Sequence, residues 1–120
     1  MLIVDDNAAF RNVARTLLES GGYRVIGEAG TAAAAVTMAA AIRPDVVLLD
    51  IGLPDQDGFT VCRELHAALP ATVIVFCSVR SAEEYREAVA RSAATGFLAK
   101  SQLSGGTLAA ILAGQGEDWR

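Results

Sequence analysis

The sequence predicts an α/β domain in which five parallel strands form a doubly wound sheet. Three observations support this fold class. Short apolar runs alternate along the chain with segments whose apolar residues recur at helical spacing. The run Val46–Leu49 is uninterrupted, which is typical of a strand buried on both faces of a parallel sheet. The chain has 120 residues, which is enough for one domain with a substantial core.

Each strand is predicted from a short apolar run. In chain order, these runs lie at residues 2–4, 23–28, 45–50, 72–77 and 96–99. Polar side chains close four of them: Asp5-Asp6 the first, Asp50 the third, Ser78 the fourth and Lys100 the fifth. Because the carboxyl ends of parallel strands meet at one edge of the sheet, we expect these side chains in one crevice, where ligands bind in such folds.

The helices are predicted from helical spacing and from signals at their ends. They lie at residues 10–18, 32–42, 59–69, 81–91 and 101–113. Gly21 follows the first helix, as glycine commonly does beyond a helix C-terminus. Thr31 caps the second helix, and Pro44 and Pro70 end the second and the third. Ser81 caps the fourth, and the two acidic residues soon after it suit the positive end of the helix.

Composition and charge argue against several classes of protein. The net charge of −4 argues against direct nucleic-acid binding, which needs a concentrated basic face. No apolar run approaches the roughly 20 residues of a membrane span, and the acidic pair interrupts the apolar stretch that a signal peptide would need. Cys62 and Cys77 are expected to be reduced core residues of a cytoplasmic protein. We expect a domain at residues 1–113 and a C-terminal tail at 114–120.

Three carboxylates in one crevice need a compensating positive charge. Two carboxylates about 5 Å apart repel each other by roughly 3 kcal/mol at an effective dielectric constant near 20. Lys100 supplies one cation, and Mg²⁺ would supply more, because it binds carboxylate and phosphate oxygens. Each residue alone has a plainer interpretation, such as a cap or turn residue for Asp50 and a solvated side chain for Lys100. The functional interpretation depends on their falling together at the ends of the correct strands.

Four motifs carry a resemblance to a known family. They are Val4-Asp5-Asp6-Asn7, the segment 48–58 (Leu48 to Gly58), Val75-Phe76-Cys77-Ser78 and Gly96-Phe97-Leu98-Ala99-Lys100. In this order the chain resembles the receiver domain of response regulators in bacterial two-component signalling, from the first strand to the last helix. The resemblance implies a CheY-like, flavodoxin-like (βα)5 fold with strand order 2-1-3-4-5.

The resemblance also implies roles for the polar residues of the crevice. Asp50 would be the phosphoacceptor, attacking phosphorus in line to form an acyl phosphate. Asp6 and Asp50 would bind Mg²⁺ directly together with the backbone carbonyl of Gly52, and Asp5 would hold a metal-bound water. Lys100 would pair with Asp50 and then neutralise a phosphoryl oxygen.

A second group of residues would form the switch that reports phosphorylation. The Ser78 hydroxyl and the Val79 backbone N–H would hydrogen-bond the phosphoryl group, and Phe97 would turn inward as Ser78 moves. Val79 and Ser101 are among the positions that depart from the common pattern. Val79 is bulkier than the usual alanine or glycine and could narrow access to the site. Ser101 stands where many receivers have a cis proline, so the preceding peptide bond is either trans or held cis by its surroundings.

These roles predict a phosphorylation-dependent signalling switch rather than an enzyme. A sensor histidine kinase would donate the phosphoryl group, and the surface of the fourth helix, fifth strand and fifth helix would change. That surface would act on a downstream protein or on a linked output domain absent from this chain, with no membrane or direct nucleic-acid contact. Homodimerisation through the same surface stays open. Because residues 114–120 resemble a short tail, we expect a stand-alone receiver rather than part of a longer regulator.

Two alternatives compete with this interpretation. The first is a pseudo-receiver, a protein-binding module whose docking ignores phosphate; failure to bind Mg²⁺ would favour it. The second is a magnesium-dependent phosphatase of the dehalogenase type, which also uses a nucleophilic aspartate at a strand end. The segment Asp50-Ile51-Gly52 lacks the second carboxylate that such an enzyme needs as acid and base.

Overall fold

A five-stranded parallel sheet forms the centre of the molecule, with strand order β2-β1-β3-β4-β5. The computed structural model describes residues 1–80 and 82–114. Its strands are β1 (Leu2–Val4), β2 (Gly27–Ala29), β3 (Val46–Asp50), β4 (Val73–Ser78) and β5 (Gly96–Ala99). All four neighbouring pairs are parallel. The predicted fold class and strand order are confirmed.

Five helices cover the two faces of the sheet. They are α1 (Ala8–Ser20), α2 (Ala32–Ile42), α3 (Gly58–Ala68), α4 (Ala82–Ala90) and α5 (Gly105–Leu112). Buried residues of α2, α3 and α4 belong to one hydrophobic cluster, and those of α1 and α5 belong to a second. Leu49 and Leu48, adjacent on β3, point into the first and second cluster respectively, as the side-chain alternation of a strand requires. The central strand is therefore buried on both faces, as its apolar run predicts.

Local capping explains where several helices begin and end. The Thr31 side chain accepts a hydrogen bond from the backbone N–H of Ala34 and so caps α2, as predicted. At the other end of α2, Arg43 adopts a left-handed conformation with φ of 46° just before Pro44. The predicted cap of α4, Ser81, lies outside the described residues, as does most of the predicted tail.

Two predicted boundaries are wrong by four residues each. The second strand was expected from residue 23 but begins at Gly27, because β2 pairs only with β1 and β1 has just three residues. The last helix was expected from Ser101, but residues 100–102 form a 3₁₀ turn and α5 begins after Ser104. Ser104 and Thr107 form a capping box there. The peptide bond between Lys100 and Ser101 is trans.

Both cysteines are buried and unbridged, as predicted. Within residues 1–80 and 82–114, no helix is long and apolar enough to cross a bilayer.

Candidate functional site

The ends of β1 and β3 bring three carboxylates together. Val4 pairs with Leu49 in the sheet, so Asp5 and Asp6 emerge beside Asp50. One carboxylate oxygen from each aspartate lies within 4.8 Å of the others. Asp5 is 1% exposed and Asp50 is 7% exposed, whereas Asp6 is open to solvent. The crevice therefore has a buried acidic floor and an open side.

Both carboxylate oxygens of Asp50 have neighbours that orient them. Oδ1 accepts a hydrogen bond of 3.2 Å from the backbone N–H of Gly52, and Oδ2 lies 3.5 Å from Nζ of Lys100. Burial raises the pKa of Asp50 above its ordinary value, and the nearby Asp5 raises it further, while Lys100 opposes both effects. The carboxylate is thus held in place in an environment that disfavours its charge, so a further cation in the crevice would stabilise it.

Lys100 bridges two of the three carboxylates. Its Nζ lies 2.5 Å from Oδ2 of Asp5 and 3.5 Å from Oδ2 of Asp50, so the expected pairing with Asp50 is present but is the longer of the two. Burial alone would lower the pKa of Lys100, but the two aspartates outweigh it and raise the pKa. Nζ also lies 4.5 Å from the centroid of the Phe10 ring, a cation–π contact that the sequence reasoning missed.

Asp5 is the most buried carboxylate of the site. Its Oδ1 accepts a hydrogen bond of 2.9 Å from the backbone N–H of Asn7. Its Oδ2 forms the ion pair with Lys100. Three carboxylates so close together are a donor set that suits a hard divalent cation such as Mg²⁺.

The residues predicted for the switch lie on the next two strands. Ser78 ends β4 and is buried, and its Oγ accepts a hydrogen bond of 3.2 Å from the backbone N–H of Arg80. Val79 is 81% exposed, so its side chain packs against little of the described protein. Phe97 is only 5% exposed and lies in the core, with its ring centroid 6.2 Å from that of Tyr85. Phe97 therefore adopts an inward position in this structure.

The loop between β3 and α3 is fastened at several points. The N–H of Gly58 donates a 2.6 Å hydrogen bond to the carbonyl of Ile51, and Asp57 caps α3 through the N–H of Thr60. Asp55 reaches across to α2, where its carboxylate accepts hydrogen bonds of 2.8 and 3.1 Å from the N–H groups of Ala32 and Ala33. These bonds lower the pKa of Asp55. The loop that follows the candidate phosphoacceptor is thereby tied to two helices.

A network of ion pairs beside the acidic cluster was not anticipated from the sequence. Arg11 and Arg15 of α1 both contact Glu28 of β2, with nitrogen–oxygen distances of 3.2 and 2.8 Å. Arg11 also donates a 2.6 Å hydrogen bond from Nη1 to the backbone carbonyl of Asp5. The i, i+4 spacing of the two arginines is the sequence signal that could have revealed a shared partner.

A doubly wound sheet with an acidic crevice and a bridging lysine at its strand ends places this chain in the class of open α/β proteins whose ligand sites lie at that edge. The chain belongs to the response regulator receiver domain family, whose model matches residues 1–112. The resemblance noted in the motifs is thus confirmed.

The chain is also similar in sequence to individual proteins. The KDP operon transcriptional regulatory protein KdpE of Escherichia coli is 41% identical over 100 residues, covering 83% of this chain and 44% of KdpE. A protein-glutamate methylesterase/protein-glutamine glutaminase of Alkalilimnicola ehrlichii is 40% identical over 79 residues, covering 65% of this chain and 20% of that protein. The chain therefore spans less than half the length of both relatives.

Among solved structures, a two-component response regulator of the LuxR family from Aurantimonas sp. SI85-9A1 superposes with a TM-score of 0.84 at 27% identity. The match covers 95% of this chain and 84% of that one.

Proposed function

We propose that this receiver domain accepts a phosphoryl group on Asp50 from a sensor histidine kinase, in a magnesium-dependent reaction, and that phosphorylation changes the surface formed by α4, β5 and α5. The observation that supports this most strongly is the cluster of Asp5, Asp6 and Asp50 within 4.8 Å, in which Lys100 bridges Asp5 and Asp50. The cluster combines a nucleophilic carboxylate with groups that suit a cation and a phosphoryl oxygen.

Asp50 acts as the nucleophile. One of its oxygens forms a bond to phosphorus while the bond between phosphorus and the donor's imidazole nitrogen breaks, and the imidazole departs with that electron pair. The product is an acyl phosphate. The Gly52 N–H and Lys100 hold the carboxylate before the reaction, which limits the reorientation needed for in-line attack. Afterwards Lys100 neutralises a phosphoryl oxygen.

The acidic residues would hold the cation. Asp6, Asp50 and the carbonyl of Gly52 would be its direct protein ligands, and Asp5 would contribute through a water molecule. Bound Mg²⁺ supplies positive charge against the carboxylates and the phosphoryl oxygens. Asp6 is the exposed member of the cluster, which leaves an entry route from solvent.

Ser78, Val79 and Phe97 convert the new phosphoryl group into a change of surface. The Ser78 oxygen already accepts a bond from Arg80, which leaves its O–H to donate to the phosphoryl group, together with the N–H of Val79. Phe97 lies inward, and the state in which Ser78 and Lys100 both contact the phosphoryl group favours that position. The change then reaches α4 and α5, which flank β5.

The partners follow from this role. They are a sensor histidine kinase and either a downstream protein or a linked output domain, in the cytoplasm. The domain assists its own phosphorylation and dephosphorylation and has no other catalytic activity. The domain comprises residues 1–113.

The direct test is incubation with acetyl phosphate and Mg²⁺, followed by intact mass measurement. We expect the mass of one added phosphoryl group in the wild type and none in Asp50→Asn. Asp45→Asn is the matched control, because Asp45 lies just before the other end of the same strand, away from the cluster, and is exposed. Beryllofluoride with Mg²⁺ should shift amide resonances of Ser78, Phe97 and α4.

Two results would contradict the proposal. A phosphoryl adduct that persists in Asp50→Asn would place the acceptor elsewhere. A folded wild type with no adduct and no amide shifts would favour the pseudo-receiver, which binds partners independently of phosphate.

A further inference from the structure

We propose that Arg11 is a positioning residue for the metal-binding acidic pair, and that it sets the affinity of the site for a divalent cation by fixing the peptide between Asp5 and Asp6. This inference rests on the magnesium site of the proposed function. It assigns a role to a residue that lies outside the motifs of the resemblance and on a different element, α1.

The main chain of the acidic pair is held on both sides. The N–H of Asp5 donates a 2.9 Å hydrogen bond to the carbonyl of Ala29, and the carbonyl of Asp5 accepts the 2.6 Å bond from Nη1 of Arg11. That carbonyl belongs to the peptide unit that joins Asp5 to Asp6. Since the strand ladder ends at Val4, the Arg11 bond controls the rotation of the peptide that carries the two carboxylates into the crevice.

The Arg11 side chain is itself held in place by its neighbours. Its Nε lies 3.2 Å from Oε1 of Glu28, and Glu28 is fixed in the sheet opposite Ile3. A methyl group at Gly30 would lie 3.3 Å from Nη1, so the glycine leaves the room that the guanidinium occupies. The side chains of Arg11 and Glu28 are 21% and 28% exposed, which limits screening of their interaction by solvent.

The chemistry of the guanidinium suits this role. Arg11 uses Nε toward Glu28 and Nη1 toward Asp5 at the same time, and only the planar fork of arginine offers two donors in fixed directions. It also brings a permanent positive charge to the main chain of a cluster of three carboxylates, which Lys100 contacts as well. Groups that orient metal ligands in this way commonly change metal affinity by about 10–100-fold when they are removed.

A purely structural role would predict something different, and Arg15 provides the comparison. Arg15 also pairs with Glu28, at 2.8 Å, and donates to the carbonyl of Val25 at 3.2 Å. Arg15 links α1 to β2 as Arg11 does, but its hydrogen bonds go to Glu28, Glu19 and the carbonyl of Val25 rather than to Asp5. Arg15→Met therefore removes a comparable link between α1 and β2 but keeps the hydrogen bond from Arg11 that orients the acidic pair.

The experiment compares Mg²⁺ binding in the wild type, Arg11→Met and Arg15→Met, by titration of amide resonances of Asp5, Asp6 and Gly52. Urea unfolding without metal measures the structural cost of each change. We expect Arg11→Met to weaken Mg²⁺ binding about tenfold and Arg15→Met less than about twofold, at similar losses of stability. Phosphorylation by acetyl phosphate should keep its maximal rate in Arg11→Met but require more Mg²⁺ to reach it. If Arg11→Met does not fold, Arg11→Lys, which retains the charge but not the fork, should still weaken binding several-fold.

The outcomes separate this inference from the proposed function. Equal Mg²⁺ affinities in the folded Arg11 variant and in the wild type would overturn the role of Arg11 and leave the metal site standing. Equal weakening by Arg11→Met and Arg15→Met would also overturn it, because a structural fastening would then explain both. A wild type with no Mg²⁺-dependent shifts would refute the metal site and this inference together.

Discussion

Gly58→Ala should damage both the stability and the reactivity of this domain, although it adds only one methyl group. Gly58 is the first residue of α3, and a Cβ atom there would lie 2.6 Å from the carbonyl oxygen of Asp50 and 2.7 Å from Cα of Ile51. Both neighbours are backbone atoms that cannot rotate away. An ordinary contact of 3.4 Å requires the start of α3 and the end of β3 to separate by about 0.8 Å. That movement also strains the short hydrogen bond from Gly58 N–H to the Ile51 carbonyl.

The size of the effect follows from these distances. Overpacking against rigid neighbours costs about 3 kcal/mol, and the better helix propensity of alanine returns at most about 1 kcal/mol. We therefore expect a net loss of about 2 kcal/mol in the free energy of unfolding, or a fall of about 8 °C in the midpoint of thermal unfolding. Because Asp50 itself must shift, we also expect phosphorylation by acetyl phosphate to slow by about tenfold or more.

The matched control is Gly52→Ala in the same loop. A methyl group at Gly52 would meet no described atom within 4 Å, and the φ angle of Gly52 lies outside the left-handed region. Its effect on the free energy of unfolding should stay within about 0.5 kcal/mol. Urea unfolding of both variants is the assay. If Gly58→Ala proves as stable as Gly52→Ala, the close approach of α3 to the acceptor strand does not constrain the site as we argue.

Three further expectations concern charge and reactivity. Lys100→Met leaves a buried carboxylate of Asp5 without its counter-charge, so the metal-free protein should lose about 3 kcal/mol in urea unfolding, and Mg²⁺ should restore part of it. Arg15 and Arg11 hold the pKa of Glu28 below its ordinary value of 4.5. Their ion pairs therefore stabilise the fold above that pH, and this contribution is lost as the pH falls through the lowered pKa. Glu28→Gln should lower the free energy of unfolding by about 1 kcal/mol at pH 6 and by progressively less below pH 4.5. Burial raises the pKa of Cys77 to about 12, so a thiol reagent at mild alkaline pH should label Cys62 and Cys77 only after unfolding, as seen by mass measurement.

Each of these expectations has a clear contrary result. Unchanged stability of Lys100→Met would mean that the carboxylates relax without their bridge. A Glu28→Gln deficit that stays constant from pH 6 to pH 3 would show that the ionised carboxylate is not what stabilises the α1–β2 contact. Rapid labelling of a cysteine in the native protein would show that the core opens around it.

The strands next to the site were the most predictable elements. The first strand and the fifth, residues 96–99, lie where their apolar runs predict, and β3 differs by one residue, because burial on both faces leaves few alternatives to an apolar strand. The second strand was less predictable. Tyr23 and Val25 supply an apolar pattern and do pack in the core, yet they lie outside the ladder, because β1 offers only three partners.

The start of α5 shows a different limit of sequence reasoning. Ser101 and Ser104 are both suitable caps, and the sequence alone does not choose between them. In the structure Leu103 is buried with an extended backbone, which separates the 3₁₀ turn from the helix and leaves Ser104 as the cap. The choice depends on tertiary burial rather than on local propensity.

The candidate site was predictable in its members and less so in its contacts. Topology alone brings Asp5, Asp6 and Asp50 together, because parallel strands end at one edge. Two contacts were not predictable: the closer pairing of Lys100 with Asp5, and the hydrogen bond from Arg11 to the main chain of Asp5. Both depend on how side chains from other elements are oriented in the fold, and the order of residues along the sequence does not contain that information.

The reach of Asp55 to the start of α2 has a practical consequence for chimeric receivers. Its carboxylate occupies the N–H groups of Ala32 and Ala33, while Thr31 takes that of Ala34, so the segment after the acceptor strand and the start of α2 complete one another. If this loop is replaced by that of a relative without an acidic residue at the position of Asp55, the N–H groups of Ala32 and Ala33 lose their hydrogen-bond acceptor in the protein. Segments for recombination should therefore be chosen so that residues 31–34 and 51–58 come from the same parent.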